Sequence, residues 1–166
     1  KDMKALIKFA KITGVKPTLL NAVEDVNTKQ LEEIILIAKR KLGILESKNI
    51  TILGTSFKPN TDDIRDSIAI ELIKKFLKRK VKVTVHDPKA IKNTRSVFKN
   101  KINYAKSIPD AILGSQCVII MTQWKQYEKL VNNDFKHMKK KMVIDCRRIL
   151  TDKQLDVDYY AIGLGK

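Results

Sequence analysis

Cysteine, histidine and long apolar runs are scarce in this chain of 166 residues, and each scarcity removes a class of protein. Cys117 lies inside one apolar run and Cys146 ends another, so two cysteines cannot supply a disulfide framework or a cysteine-based metal site. They are expected to be free, buried thiols, and no metal is expected. No stretch of eighteen apolar residues occurs, and the first residues form a Lys-rich amphipathic segment that contains Asp2. Neither a transmembrane helix nor a secretory signal is indicated, and a cytoplasmic protein with no membrane partner is expected. Low-complexity tracts and internal repeats are also missing, and an apolar content of 43% suits a folded domain rather than a disordered one.

Acidic residues are in deficit: 18 Asp and Glu face 34 Lys and Arg, a net charge of +16. Such a surplus attracts polyanions, so a basic nucleic-acid-binding module is one reading. Against it, most of the surplus is lysine spread along every expected helix, and Lys139–Lys141 is the only run of three lysines. Nucleic-acid recognition gathers arginine and aromatics on one face. A solvated lysine surface, with no specific nucleic-acid partner, is therefore expected. A phosphate-bearing small ligand suits the same charge.

Apolar spacing divides the chain in two. Leu6, Ile7 and Ala10 suggest a short helix from Asp2 to about Lys11. After Pro17, the positions Leu19, Leu20, Val23, Val26, Leu31, Ile34, Ile35, Ala38 and Leu42 repeat at three and four residues, a long helix ending near Gly43. A stripe of that length exceeds what one small sheet covers, so ordinary core packing and a contact with a second subunit are both open. From Asn49 onward strands and helices alternate, the pattern of a parallel sheet covered on both faces. Strands are expected at Asn49–Leu53, Val81–His86, Ile102–Tyr104, Val118–Thr122, Met142–Asp145 and Tyr159–Ile162, and helices at Ile68–Lys80, Ile108–Leu113 and Trp124–Phe135. The fold class is α/β: a Rossmann-like doubly wound parallel sheet preceded by a long helix. The joint between the two regions falls at Glu46–Lys48.

Ligands of such sheets sit beyond the carboxyl ends of the strands. There the loop Gly54–Ser67 reads G-T-S-F-K-P-N-T-D-D-I-R-D-S. It lacks G-x-G-x-x-G, so a cradle for a dinucleotide pyrophosphate is poorly supported. Lys58 offers an ammonium to a phosphate, or is a solvated loop lysine; Phe57 offers an apolar face to a base or sugar. Arg65 stands among Asp62, Asp63 and Asp66, where an ion-pair network fixing the loop and a ligand contact are equally open. Thr61, Asp62, Asp66 and Ser67 suit turn and helix capping. Arg147 and Arg148 follow a strand and should overhang the same edge, with Asp145 orienting an arginine or satisfying backbone groups. Asp87 occupies the place where an acid accepts from a ribose, Pro88 turns the chain, and His86 reads as a strand residue. Trp124 either closes the crevice or belongs to the core.

The Gly54–Ser67 loop resembles the G-x-x-F-K-x-x-T-D-D-x-R-x-S signature of the UDP-glucose/GDP-mannose dehydrogenase family. Val85–Pro88 (V-H-D-P), Met121–Trp124 (M-T-Q-W) and Val143–Arg148 (V-I-D-C-R-R) are similar to further family motifs in the same order, although Gln123 replaces the usual glutamate. Lys1–Leu6 resembles the segment after the catalytic cysteine in C-x-P-K-D. The resemblance implies that Phe57, Lys58 and Arg147 contact a UDP-sugar, and that Arg65 reaches NAD held mainly by another part of the enzyme. It implies that Asp2, otherwise a helix N-cap, helps position the catalytic water. It further implies that residues 1–46 end a helical central domain that pairs subunits into a homodimer, and that residues 47–166 form the UDP-binding domain. Neither cysteine stands in the C-x-P-K-D context, so the chain is expected to be a C-terminal portion of a UDP-glucose 6-dehydrogenase-like enzyme, inactive alone. A non-catalytic dimerisation scaffold remains as a further reading.

Overall fold

The apolar alternation folds into a six-stranded sheet in a computed structural model that describes residues 2–163, apart from the side chains of Asp2 and Lys4. Helices α1 (Asp2–Ile12) and α2 (Thr18–Leu42) come first. Then follow β1 (Asn49–Leu53), α3 (Ile68–Lys78), β2 (Lys82–His86), α4 (Ile91–Phe98), β3 (Asn103–Tyr104), α5 (Ile108–Ile112), β4 (Cys117–Ile120), β5 (Met142–Asp145) and β6 (Asp158–Ala161). The strand order is β3-β2-β1-β4-β5-β6 and every pairing is parallel. The chain leaves β1 for β2 on one side and later returns to β4 on the other, so the topological switch point lies between β1 and β4.

Both faces of the central strands β1, β4 and β5 are dry, as parallel sheets require. On one face Ile50, Ile52, Val83, Val85 and Ile119 pack under Leu72, Ile73 and Phe76 of α3 and Ile34, Ile35 and Ala38 of α2. On the other, Leu53, Val118, Ile120 and Val143 meet Ile112, Tyr127, Leu130 and Phe135. The second half of α2 is thus part of the sheet's own core. Two polar contacts hold it there: Lys75 of α3 pairs with Glu32, and Lys140 Nζ donates to the Lys41 carbonyl at 2.7 Å. The first half carries the same spacing but has no fully buried residue, and Leu19, Val23 and Val26 are 77%, 41% and 55% exposed.

Two elements depart from the sequence expectation. The segment 124–135 is not a helix but a run of turns ending in a 3-10 turn at Asn132–Phe135. Trp124, Tyr127, Leu130 and Phe135 all reach the core, which imitates helical spacing. The Asn-Asn-Asp sequence at 132–134 instead favours turn hydrogen bonds, with the Asp134 carboxylate accepting from Val131 N at 2.8 Å. Helix α4 was not expected, although Ile91, Thr94 and Phe98 recur on its inward side.

Candidate functional site

The turns after β1, β2, β4 and β5 form one edge, and the first three are locked together. Gly54, at φ +93°, donates from its N–H to the His86 carbonyl at 2.8 Å. A Cβ on Gly54 would lie 2.5 Å from the Thr122 Cβ, so only glycine lets the β1 and β4 turns touch. Thr122 Oγ1 then donates to the Ser56 carbonyl at 2.7 Å. The Cβ side of Gly54 is thus taken up by Thr122, so this glycine serves a contact between two turns of the protein.

Asp87 ties the same turns from below. Its Oδ2 accepts from the backbone N–H of Thr55 and Ser56 at 2.8 and 3.0 Å, from Ser56 Oγ at 2.9 Å and from the Trp124 indole at 3.3 Å. Its Oδ1 accepts from Lys89 N and Ala90 N at 2.9 and 2.8 Å, just ahead of α4. The carboxylate is buried and fully engaged, so the ribose contact open in the sequence is replaced by an internal knot. The sequence signal for it was Asp-Pro-Lys-Ala, an aspartate followed by two free N–H groups in a turn. Trp124 belongs to the core rather than closing the crevice. His86 Nδ1 lies 2.9 Å from the Tyr127 hydroxyl, and burial pushes the imidazole below its ordinary pKa.

At the end of β5 the arrangement opens. Asp145, fully buried, accepts at Oδ1 from Arg147 N (2.9 Å) and at Oδ2 from Leu150 N (2.9 Å) and the Tyr159 hydroxyl (3.0 Å). Burial, assisted by Asp145, pushes Tyr159 up to about 12, so its hydroxyl remains a donor. Asp145 therefore shapes the turn that presents Arg147. The Arg147 Nε donates to the Met121 carbonyl at 2.7 Å, which lays the guanidinium across the ends of β4 and β5. Among the described residues its two terminal nitrogens make no hydrogen bond, a fork suited to phosphate.

Phe57 and Lys58 belong to the β1 loop at this edge. The loop is closed by Phe57 N to the Asp63 carbonyl at 2.9 Å and tied to α4 by Asn93 Nδ2, which donates to the Asp62 carbonyl at 2.8 Å. Phe57 is 42% exposed, and the Lys58 ammonium rests 5.4 Å from its ring centre. Arg65 lies apart, lining a groove of about 520 Å³ between α2 and α3 with Thr28, Ser67 and Glu71. It forms a bidentate pair with Asp63, Nη2 to Oδ2 at 2.7 Å, the ion-pair alternative read from the sequence. Thr61 Oγ1 accepts from Asp63 N at 3.1 Å, while Ser67 stands at the N-cap of α3 without a side-chain cap bond. The Asp2 side chain lies outside the described residues.

Neither thiol suits nucleophilic attack. Burial raises both, Cys146 to about 12 with Asp145 adding to the shift and Cys117 higher still. Both cysteines are free, and no cluster of metal-ligating side chains occurs among the described residues.

A UDP-glucose 6-dehydrogenase from Haloferax volcanii, AglM, is 37% identical over 98% of this chain and 37% of its own length. YwqF, a UDP-glucose 6-dehydrogenase of Bacillus subtilis, is 32% identical over 98% of this chain and 38% of its own. The solved UDP-glucose dehydrogenase from Pyrobaculum islandicum superposes with a TM-score of 0.83 at 31% identity, covering 96% of this chain and 35% of that one. The chain thus spans little more than a third of these relatives. The model of the UDP-binding domain of the UDP-glucose/GDP-mannose dehydrogenase family matches residues 51–152, from inside β1 to beyond Arg147, and the chain belongs to that family.

Proposed function

We propose that this chain is the UDP-sugar-binding part of an NAD-dependent nucleotide-sugar 6-dehydrogenase, acting on UDP-glucose. The observation that carries the proposal is Arg147: its Nε is fixed on the Met121 carbonyl and its terminal nitrogens meet no acceptor among the described residues, at the edge where Phe57 and Lys58 lie. In this reading Arg147 and Lys58 hold the diphosphate and Phe57 lies against the base or sugar. Binding energy gathered on the nucleotide then positions the sugar for reaction elsewhere. NAD is assigned to the rest of such an enzyme, since the β1 turn lacks G-x-G-x-x-G; Arg65 would be its contact here, exchanging Asp63 for a cofactor phosphate. Asp2 is assigned a role in positioning the catalytic water.

Residues 1–46 are proposed to belong to a helical central domain and 47–166 to the UDP-binding domain. A second copy of the chain is proposed to cover the exposed side of α2, making a homodimer, and the chain alone is proposed to have no dehydrogenase activity. Calorimetric titration with UDP tests the central claim. Saturable binding is expected, weaker with CMP, and Arg147→Ala or Lys58→Ala should each weaken it at least ~10-fold. Equal affinity for UDP in both variants would refute the assignment. NADH formation from UDP-glucose by the chain alone would refute its inactivity.

A further inference from the structure

The surplus positive charge, dispersed in the sequence, is gathered by the fold. The amino-terminal edge of the sheet is built from segments 39–48, 78–82, 99–101, 136–141 and 156–158, which precede or enter the strands. They hold fourteen of the chain's 34 Lys and Arg but three of its 18 Asp and Glu. The turns at the opposite edge, 54–67, 87–90, 105–110, 121–129 and 145–153, hold nine basic and eight acidic residues. Backbone hydrogen bonds lace the basic segments into one continuous surface: Ser47 N to Lys80 O and Lys82 N to Lys48 O at 2.9 Å, Gln116 N to Asn49 O and Lys139 N to Ser115 O at 2.8 Å. At six strands spaced about 4.8 Å apart, the row is roughly 24 Å long.

Two aliphatic side chains stand out of this surface. Ile44 follows Gly43 in the turn before β1 and is 80% exposed; Leu113 precedes Gly114 in the turn before β4 and is 67% exposed. Both turns lie on the basic row. We propose that this edge is a docking face for an anionic lipid surface, in which lysines meet headgroup phosphates and Ile44 and Leu113 enter the interfacial layer. The choice of lipid over nucleic acid rests on composition. Twelve of the fourteen cations are lysines, which act as point charges, and only Arg40 and Arg79 among them are arginine. The aromatic rings nearby are already covered, Tyr160 by Lys41 at 5.0 Å and Tyr104 by Arg95 at 4.1 Å, so no bare ring offers a stacking platform to a base. Lysine heads with protruding aliphatic tips match a headgroup layer. The contact would be peripheral, since no described helix is long and apolar enough to span a bilayer. Docked this way, the Arg147 edge faces away from the membrane.

Vesicle flotation of the whole chain tests the proposal, with phosphatidylcholine vesicles compared with vesicles also containing phosphatidylglycerol, at roughly 0.1 M salt. Binding is expected to the anionic vesicles only. The variant Lys82→Glu/Lys101→Glu/Lys139→Glu should lose at least ~10-fold in partitioning, and Ile44→Ser/Leu113→Ser several-fold. The control Lys106→Glu/Lys125→Glu/Lys129→Glu makes the same change in net charge at the opposite edge and should lose far less. Absence of binding, equal loss in the two triple variants, no effect of the aliphatic pair, or tighter binding to a mixed-sequence oligonucleotide at equal phosphate would each overturn it.

Discussion

The turn after β2 and the turn after β5 each begin with a buried aspartate, and they put it to opposite use. Asp87 draws the β1 turn, the Trp124 indole and the start of α4 onto itself, leaving nothing of its carboxylate for a ligand. Asp145 accepts from its own turn and from Tyr159, and the result is an arginine held outward. A carboxylate at the mouth of a doubly wound sheet is therefore no guide to ligand contact until its acceptor capacity has been traced. One side of the mouth is a closed knot and the other is a presenting arm.

Removing the knot should have the largest effect. Asp87→Ala strands the N–H groups of Thr55, Ser56, Lys89 and Ala90, and a loss of about 3–5 kcal/mol in chemical denaturation is expected. A loss under 1 kcal/mol would mean that the two sides are equally loose. Next, Gly54→Ala combines a φ of +93° with a 2.5 Å approach to Thr122, and should cost about 2–3 kcal/mol. On the presenting side, Arg147→Ala should change stability by less than about 1 kcal/mol while weakening UDP binding. A large stability loss there would make Arg147 structural and abolish the contrast.

The smallest effect concerns pH. His86 is buried beside Tyr127 and its folded pKa is lowered, so protons bind the unfolded chain first. Stability is then complete above the unfolded value of about 6.5 and declines as the pH falls from there toward the folded value. The melting temperature should drop between pH 7 and 5, and His86→Gln should flatten that drop. A histidine NMR signal for His86 titrating above 6.5 would reverse the sign and sink the prediction.

Much of this was legible in the residues. Alternating apolar runs of the right length gave the strands within a residue or two, because an all-parallel sheet needs both faces apolar. The loop 54–67 and Arg147 were placed at the carboxyl edge by strand direction alone. What could not be read was who covers what. Leu19 and Ile35 share one stripe on α2, yet Ile35 is buried under the sheet and Leu19 is bare, since spacing identifies an apolar face but not its partner. The segment 124–135 failed for a related reason: four side chains reaching the core from turns mimic a helical period. The Asp87 knot joins residues about thirty apart in the chain, a closure that no local pattern encodes.

Trp124 is the chain's single tryptophan, and its indole N–H donates to Ser56 Oγ at 3.2 Å and to the Asp87 carboxylate. The chain therefore carries one indole fluorophore, wired by hydrogen bonds into the floor of its own mouth. Emission excited near the red edge of protein absorbance comes from that one place, so its wavelength and intensity report the state of the knot without any label attached.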